Sequence, residues 1–232
     1  MLIVRKSEVR GQADHGWLDT RHTFSFANYY DPEHMGFSAL RVINDDRVAP
    51  GGGFPTHSHS DMEIISYVLD GALEHKDSMG NGSVINAGEF QVMSAGTGVT
   101  HSEYNPSSSE AMRFLQIWII PDKSGVSPSY QQPEITPEFS KGKWCLIASG
   151  KPENGAAKIH QRADVYVCKI QNDDAVRHVF KPGRRGWLQV AKGRVQLNEL
   201  ALQEGDGVAI SDEREIILIS ADEAEILLFD LP

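Results

Sequence analysis

Cysteine is scarce in this chain of 232 residues, which contains only Cys145 and Cys168. Two cysteines cannot form the several disulfides that staple small secreted domains, so the fold must rest on a buried core. The first residues, MLIVRKSEVR, have no long apolar run after their charges, which is unlike a secretion signal. We therefore expect a soluble protein of the reducing cytoplasm.

Long apolar runs and an excess of positive charge are missing as well. The apolar stretches, of which residues 114–120 are among the longest, are far shorter than the roughly 20 residues that cross a bilayer. Basic side chains number 22 against 32 acidic ones, and the resulting formal net charge of -10 repels a phosphate backbone. We expect neither a membrane protein nor a direct nucleic-acid binder.

Short apolar runs bounded by turn residues recur along the whole chain, for example at residues 64–69, 114–119 and 226–229. This pattern predicts an all-β protein of many short strands. The sequence YVLDG ending at Gly71 resembles LQVAKG ending at Gly193, and both are followed by further strand and turn signals, which indicates an internal duplication. The economical interpretation is two tandem antiparallel β-barrels.

Four prolines lie between the two halves, at Pro121, Pro128, Pro133 and Pro137. Proline fixes its own φ and lacks a backbone donor, so this stretch cannot be a central strand and is interpreted as a linker. The predicted domains are an N-terminal barrel at 1–120, the linker at 121–143 and a C-terminal barrel at 144–232.

Two short motifs carry the candidate chemistry. His57 and His59 follow a Gly-Gly-Gly turn, and His101 and Glu103 follow a second glycine-containing turn. A spacing of two residues sends both side chains to one face of a strand. If the two strands pair with these faces inward, three imidazoles and one carboxylate meet and can bind a divalent metal ion.

The carboxylate is not fixed by spacing alone, because Glu63 lies four residues beyond His59 and would face the same way in an unbroken strand. The isolated histidines are interpreted as surface or hydrogen-bonded polar residues; they include His15, His34, His75 and His160.

The segments PGGGFPTHSHSDMEIISYVLDG and AGEFQVMSAGTGVTHSEYN, with the stretch from His22 to Val42, resemble the pirin family of the cupin superfamily. The resemblance implies a bicupin of jelly-roll type with the metal in its N-terminal barrel. It also assigns Glu103 rather than Glu63 as the fourth ligand, which leaves Glu63 a supporting or structural role. The second half offers only His178 and the apolar run 216–219 at the corresponding places, so no second metal centre is expected.

The resemblance further implies quercetin 2,3-dioxygenase activity, in which O2 opens the heterocyclic ring of a flavonol and carbon monoxide is lost. Glu103 would then take the proton of the flavonol 3-hydroxyl. Iron(II) is the first choice of metal, and zinc, manganese, nickel, cobalt or copper also suit nitrogen and oxygen donors. An aromatic substrate needs apolar walls; the candidates are Phe24, Phe26, Phe54, Phe90, Met62 and Met93.

Two other functions are compatible with these residues. One is a metal-dependent regulatory module that binds a protein partner, as eukaryotic pirins are thought to do, although the sequence shows no extended one-signed patch for such a partner. The other is a metal-assisted isomerase or hydrolase, because cupin barrels support many reactions.

Overall fold

The computed structural model describes residues 1–134, 140–171, 174–220 and 222–232. Antiparallel strands dominate it, which confirms the predicted all-β class. One 3-10 turn lies at Ser7–Val9. The strands up to residue 131 are β1 (Leu2–Arg5), β2 (Gly11–Asp14), β3 (Leu18–His22), β4 (Leu40–Val48), β5 (Gly53–His59), β6 (Glu63–Asp70), β7 (Ala72–Asp77), β8 (Gly82–Asn86), β9 (Phe90–Ser94), β10 (Val99–Tyr104), β11 (Met112–Ile119) and β12 (Ser129–Gln131).

The strands after residue 131 are also short and are also joined by tight turns. They are β13 (Cys145–Ser149), β14 (Ala157–Lys158), β15 (Asp164–Ile170), β16 (Asp174–Val179), β17 (Arg185–Lys192), β18 (Arg194–Leu197), β19 (Leu200–Gln203), β20 (Gly207–Ile210), β21 (Glu215–Ser220) and β22 (Ala224–Leu231). No helix in the described part of the chain is long and apolar enough to cross a membrane.

The first compact unit comprises Gly11–Glu134 and Ala157–Gln161. Its larger sheet has the strand order β12-β9-β6-β11-β4-β3-β2, and its smaller sheet the order β5-β10-β7-β8. Val68 and Phe114 of the larger sheet share one apolar core with Leu73 and Ile85 of the smaller sheet. The two sheets therefore face each other as in a jelly roll, without closing into a continuously hydrogen-bonded barrel.

The second compact unit repeats this strand order. Its larger sheet contains the run β1-β20-β17-β22-β15-β13, and its smaller sheet has the order β16-β21-β18-β19. Leu188 and Ile226 pack with Leu197 and Ile216 across its interior. The bicupin architecture predicted from the duplicated glycine turns and the family resemblance is thus confirmed.

The amino terminus departs from the predicted domain boundaries. Met1–Arg10 belongs to the same unit as most of the C-terminal half, because β1 pairs with β20 from Leu2 opposite Ile210 to Arg5 opposite Gly207. Leu2 and Val4 pack against the core of that unit. An alternating apolar pattern predicts such a strand, but it does not tell which sheet edge the strand will join.

The proline-rich segment contains one short strand. β12 lies at the edge of its sheet and pairs only with β9, in agreement with the expectation that this stretch holds no central strand. Part of the predicted linker, residues 135–139, lies outside the described residues.

Candidate metal centre

Three histidines meet on two neighbouring antiparallel strands. His101 of β10 stands opposite His57 of β5, and Val99 stands opposite His59. The ring centroids are 4.4 Å apart for His57 and His101, 4.8 Å for His57 and His59, and 5.0 Å for His59 and His101. One ring nitrogen from each histidine lies within 4.8 Å of the other two, so all three can reach a single ion.

Local backbone contacts orient the His57 ring. Its Nδ1 lies 2.8 Å from the carbonyl oxygen of Pro55 and must donate to it, which leaves Nε2 as the nitrogen available to a metal. The His59 ring meets the edge of Trp118 at a centroid distance of 5.0 Å. Each ring is therefore held by a neighbour that does not compete for its ligand atom.

The electrostatics of the cluster keep two of the imidazoles neutral. Burial, together with the neighbouring His57 and His75, lowers the pKa of His101 to about 3. Burial, with His101 and His57 beside it, lowers the pKa of His59 to about 4. Both rings are thus uncharged near pH 7, the form that binds metals.

His101 also carries the strongest sign of a missing partner. Its side chain is buried, and neither of its ring nitrogens has a hydrogen-bond partner within the described residues. Buried polar groups are nearly always satisfied. A cation among the three imidazoles would satisfy this one, so the donor set fits a divalent metal.

Glu103 follows His101 by two residues on β10 and lies beside it. The register between β10 and β5 shifts between His101 and Glu103, so that Glu103 stands opposite Phe54. A carboxylate oxygen of Glu103 lies within 4.8 Å of a nitrogen of His101 and one of His75. The structure therefore groups three of the four predicted ligands tightly and places the fourth beside His101.

Three donors from the larger sheet hold the Glu103 carboxylate, which is fully buried. Ser66 Oγ and Gln91 Nε2 donate to Oε1 at 2.6 and 2.8 Å, and Gln116 Nε2 donates to Oε2 at 2.7 Å. These uncharged donors fix the orientation of the carboxylate. Because each oxygen has two lone pairs, Oε2 can accept one further interaction.

His75 is a residue that sequence reasoning missed. It was interpreted as one of the isolated polar histidines, but its side chain is fully buried beside His101, at a centroid distance of 5.4 Å. Its Nε2 lies 3.2 Å from Asp77 Oδ2, and its ring stacks on Tyr130 at 4.7 Å. The sequence signal was present, since His75 lies two residues before Asp77, but nothing local showed that β7 borders β10.

Glu63 occupies a separate environment. Ser94 Oγ donates to its Oε2 at 2.6 Å, and His160 Nδ1 lies 3.2 Å from its Oε1. Burial raises the pKa of this carboxyl. Within the described residues, Glu63 belongs to none of the groups whose atoms could share one ion.

The three residues that hold Glu103 were also missed, although they leave a trace in the sequence. Ser66, Gln91 and Gln116 each lie between two apolar or aromatic neighbours in the strands β6, β9 and β11. They stand side by side in register, Gln116 opposite Ser66 and Ser66 opposite Gln91. A polar residue in the middle of a buried strand predicts a buried partner.

The predicted aromatic wall divides into two groups. Phe26 and Phe54 line a cavity of about 520 Å³ in the first unit. Phe24, Phe90 and Met93 are buried among other side chains, and Met62 packs against the small cluster that contains Met93.

The described residues of the second unit contain no comparable histidine cluster. On β21, the strand equivalent to β10, Ile216 and Leu218 are fully buried in the apolar core. The Nε2 atom of His178 on β16 instead lies 3.0 Å from Asp230 Oδ2. The other carboxylate oxygen of Asp230, Oδ1, accepts a hydrogen bond from Arg184 Nε.

Two jelly-roll units, one of them with a histidine cluster on adjacent strands, define a protein of the cupin class. A family model described as Pirin matches residues 3–119, and one described as quercetinase C-terminal cupin domain matches residues 146–231. The chain is 51% identical over 232 residues to a quercetin 2,3-dioxygenase of Escherichia coli (strain K12), covering 100% of this chain and 99% of that protein.

Other relatives agree with this assignment. A pirin-like protein of Caulobacter vibrioides is 43% identical over 231 residues, covering 99% of each chain. The crystal structure of the bacterial pirin YhhW from Escherichia coli in complex with nickel(II) matches with a TM-score of 0.95 at 50% identity, covering 100% of this chain and 99% of that one. The chain belongs to the pirin family.

Proposed function

We propose that this protein is a metal-dependent quercetin 2,3-dioxygenase, which opens the heterocyclic ring of a flavonol with O2 and releases carbon monoxide. The observation that carries the proposal is the cluster of His57, His59 and His101, whose ligand atoms lie within 4.8 Å of one another, with Glu103 next to His101. Sequence similarity also supports the proposal, because the chain is 51% identical over its whole length to a protein named for this activity.

The proposed metal ligands are the three histidines and Glu103, and the proposed metal is iron(II). Neutral imidazoles and a carboxylate suit iron(II) as well as nickel, manganese, cobalt, zinc and copper(II). A divalent ion held here supplies a Lewis acid that favours ionisation of an enolic hydroxyl. The buried His101, whose ring nitrogens have no recorded partner in the described chain, supports its place in the ligand set.

Glu103 is the proposed proton acceptor for the flavonol 3-hydroxyl. Its Oε1 already accepts hydrogen bonds from Ser66 and Gln91, whereas its Oε2 accepts one from Gln116. Oε2 is therefore the oxygen with capacity for the metal or for the substrate proton, one at a time. Ser66, Gln91 and Gln116 act as positioning residues, since they fix the direction of the carboxylate without contacting the substrate.

The proposed binding space is the cavity of about 520 Å³ lined in part by Phe26 and Phe54. This volume lies in the range of small-molecule sites, and aromatic side chains suit a flat polyphenol. We place the reaction in the cytoplasm, in keeping with two cysteines that are both unpaired, Cys145 and Cys168.

Oxygen uptake with quercetin tests this function. Protein purified and loaded with iron(II) is expected to consume O2, release carbon monoxide and bleach the flavonol absorbance, whereas a His101→Ala form is expected to do none of these. Lys181→Ala, which changes an exposed residue of the second unit, is the control and keeps the activity. Equal turnover by the wild-type and His101→Ala proteins would reject the proposal.

A further inference from the structure

The cavity of the first unit contains a buried acid that the proposed reaction does not use. Besides Phe26 and Phe54, the cavity is lined by the rings of Trp17 and Tyr29 and by the carboxyl group of Asp46. Asp46 is 3% exposed. Its Oδ1 is buried and has no hydrogen-bond partner within the described residues.

The surroundings of Asp46 make this acid costly to bury. In the register of β4 and β11, Asp46 stands opposite Phe114, which is fully buried. Burial, and the negative charges of Asp45 and Glu103, raise the pKa of Asp46 to about 7, although the hydroxyl of Thr20 acts in the opposite direction. Asp45 accepts two hydrogen bonds from the Arg113 guanidinium, whereas the Oδ1 atom of Asp46 has no donor among the described residues.

The same cavity adjoins the candidate metal centre through two lining residues. Phe54 stands opposite Glu103 in the pairing of β5 with β10. Asn44 stands opposite Gln116 in the pairing of β4 with β11, and the Gln116 amide donates to Glu103. Phe54 and Asn44 therefore connect the lining of the cavity with the surroundings of Glu103, whose charge also acts on Asp46.

The polar groups of this space suit a phenol better than a charged ligand. The rings of Trp17 and Phe54 meet edge to face at 5.1 Å and form an apolar wall. His22 Nδ1 is engaged at 2.8 Å with Asn44 Oδ1, and none of the described residues that line the cavity is a lysine or an arginine. Asp46 Oδ1, by contrast, is an acceptor without a donor, and a phenolic hydroxyl is a donor carried on an aromatic ring.

We infer that Asp46 is a specificity-determining residue, whose Oδ1 accepts a hydrogen bond from a hydroxyl on the flavonol ring attached at C2. The inference rests on the proposed function, because it assumes that a flavonol occupies this cavity with its 3-hydroxyl at Glu103. It goes beyond that function by assigning the preference among flavonols to one side chain. Flavonols with a hydroxylated C2 ring, such as quercetin, are accordingly preferred over galangin, whose C2 ring has no hydroxyl.

The test compares the two flavonols in the wild-type protein, in Asp46→Leu and in the surface control Asp122→Asn. We expect Asp46→Leu to lower kcat/KM for quercetin by about tenfold or more and to leave kcat/KM for galangin within about twofold, because only quercetin loses a hydrogen bond. The control keeps the wild-type ratio. An unchanged quercetin-to-galangin ratio, or an equal loss with both substrates, would overturn the inference.

Two further measurements keep the outcome decisive. If Asp46→Leu does not fold, Asp46→Asn takes its place in assays at pH 8, where the wild-type carboxyl is ionised. It is expected to lower the ratio severalfold, since a neutral amide is a weaker acceptor than a carboxylate. Anaerobic binding of both flavonols to the metal-loaded protein separates this inference from the proposed function. A binding preference for quercetin that disappears in the variant supports the role of Asp46 even if no O2 is consumed, whereas binding that is equal in both proteins counts against it.

Discussion

At the scale of single residues, the most informative side chain is Glu103, a fully buried carboxylate with three donors and no basic side chain among them. Neutral donors orient a carboxylate without cancelling its charge, which leaves that charge for a cation or a proton. His101 beside it lacks any recorded partner in the described chain and has a lowered pKa. Together they form an acceptor and a ligand that are already in place before a metal binds.

Asp46 gives a pH dependence that can be measured without substrate. Its pKa is raised from 3.8 to about 7 in the folded protein. Between these values the folded state holds a proton that the unfolded state has lost, so stability falls as the pH rises and then stays level above about pH 7. Asp46→Asn removes this effect. The difference in unfolding free energy, variant minus wild type, is therefore expected to increase by about 2 to 3 kcal/mol as the pH is raised from 5 to 8.

Urea unfolding of both proteins at several pH values measures this difference. Other titrating groups are common to the two proteins and cancel in the comparison. A stability difference that stays constant across the range would show that Asp46 is ionised in the folded protein at pH 5.

At the scale of elements, the pairing of β5 with β10 decides where the ligands lie. β5 is an edge strand that contains Pro55, and its register against β10 shifts next to this proline. Proline and register shifts are both typical of sheet edges and bulges. Glu103 stands opposite Phe54 on β5 and opposite His75 on β7, so it lies beside His75.

Gly53 permits the close approach of these two strands. A Cβ at this position would lie 2.5 Å from the carbonyl oxygen of Glu103 and 2.6 Å from Cα of Tyr104, which are backbone atoms that cannot rotate away. We expect Gly53→Ala to separate β5 from β10 and to reduce metal binding by about tenfold or more, since shifted ligands bind metals less tightly.

Gly82→Ala is the matched control for this substitution. A Cβ there would meet nothing closer than 3.9 Å, so the variant keeps full metal affinity. Metal affinity is measured by competition with a chromophoric chelator. Equal affinities for the two alanine variants would show that the spacing of β5 and β10 does not control the site.

The elements also show what the sequence could predict. The period of two predicts that His57 and His59 share a face, because that rule depends only on neighbours along the strand, and their ring centroids lie 4.8 Å apart. It could not show that β7 borders β10, or that Gln91 and Gln116 point at Glu103, since these contacts depend on the order of strands in two sheets. For the same reason β1 was assigned to the wrong half by position, although its strand pattern is clear.

At the scale of the whole molecule, the chain consists of two units with separate apolar cores. The proposed ligands all lie in one of them. A metal that binds only the folded state stabilises that unit, and the stabilisation grows with the ratio of free metal concentration to the dissociation constant. It is about 3 kcal/mol when the free metal concentration is a hundred times the dissociation constant.

Chelation is therefore expected to destabilise one unit alone. Hydrogen exchange of the metal-loaded protein, with and without EDTA, should show faster exchange in β5, β7 and β10 and unchanged exchange in β17, β20 and β22. Faster exchange by the same factor in both sets of strands would mean that the two units unfold together. In His101→Ala, EDTA should change neither set.

Metal content tests the central claim most directly, that His57, His59, His101 and Glu103 hold one ion. The protein, reloaded anaerobically with iron(II) and freed of excess metal, is analysed beside His101→Ala, Glu103→Gln and the surface control His15→Ala. The account predicts one ion per chain in the wild type and the control, little in His101→Ala and a reduced content in Glu103→Gln. A full equivalent of metal in His101→Ala would contradict it.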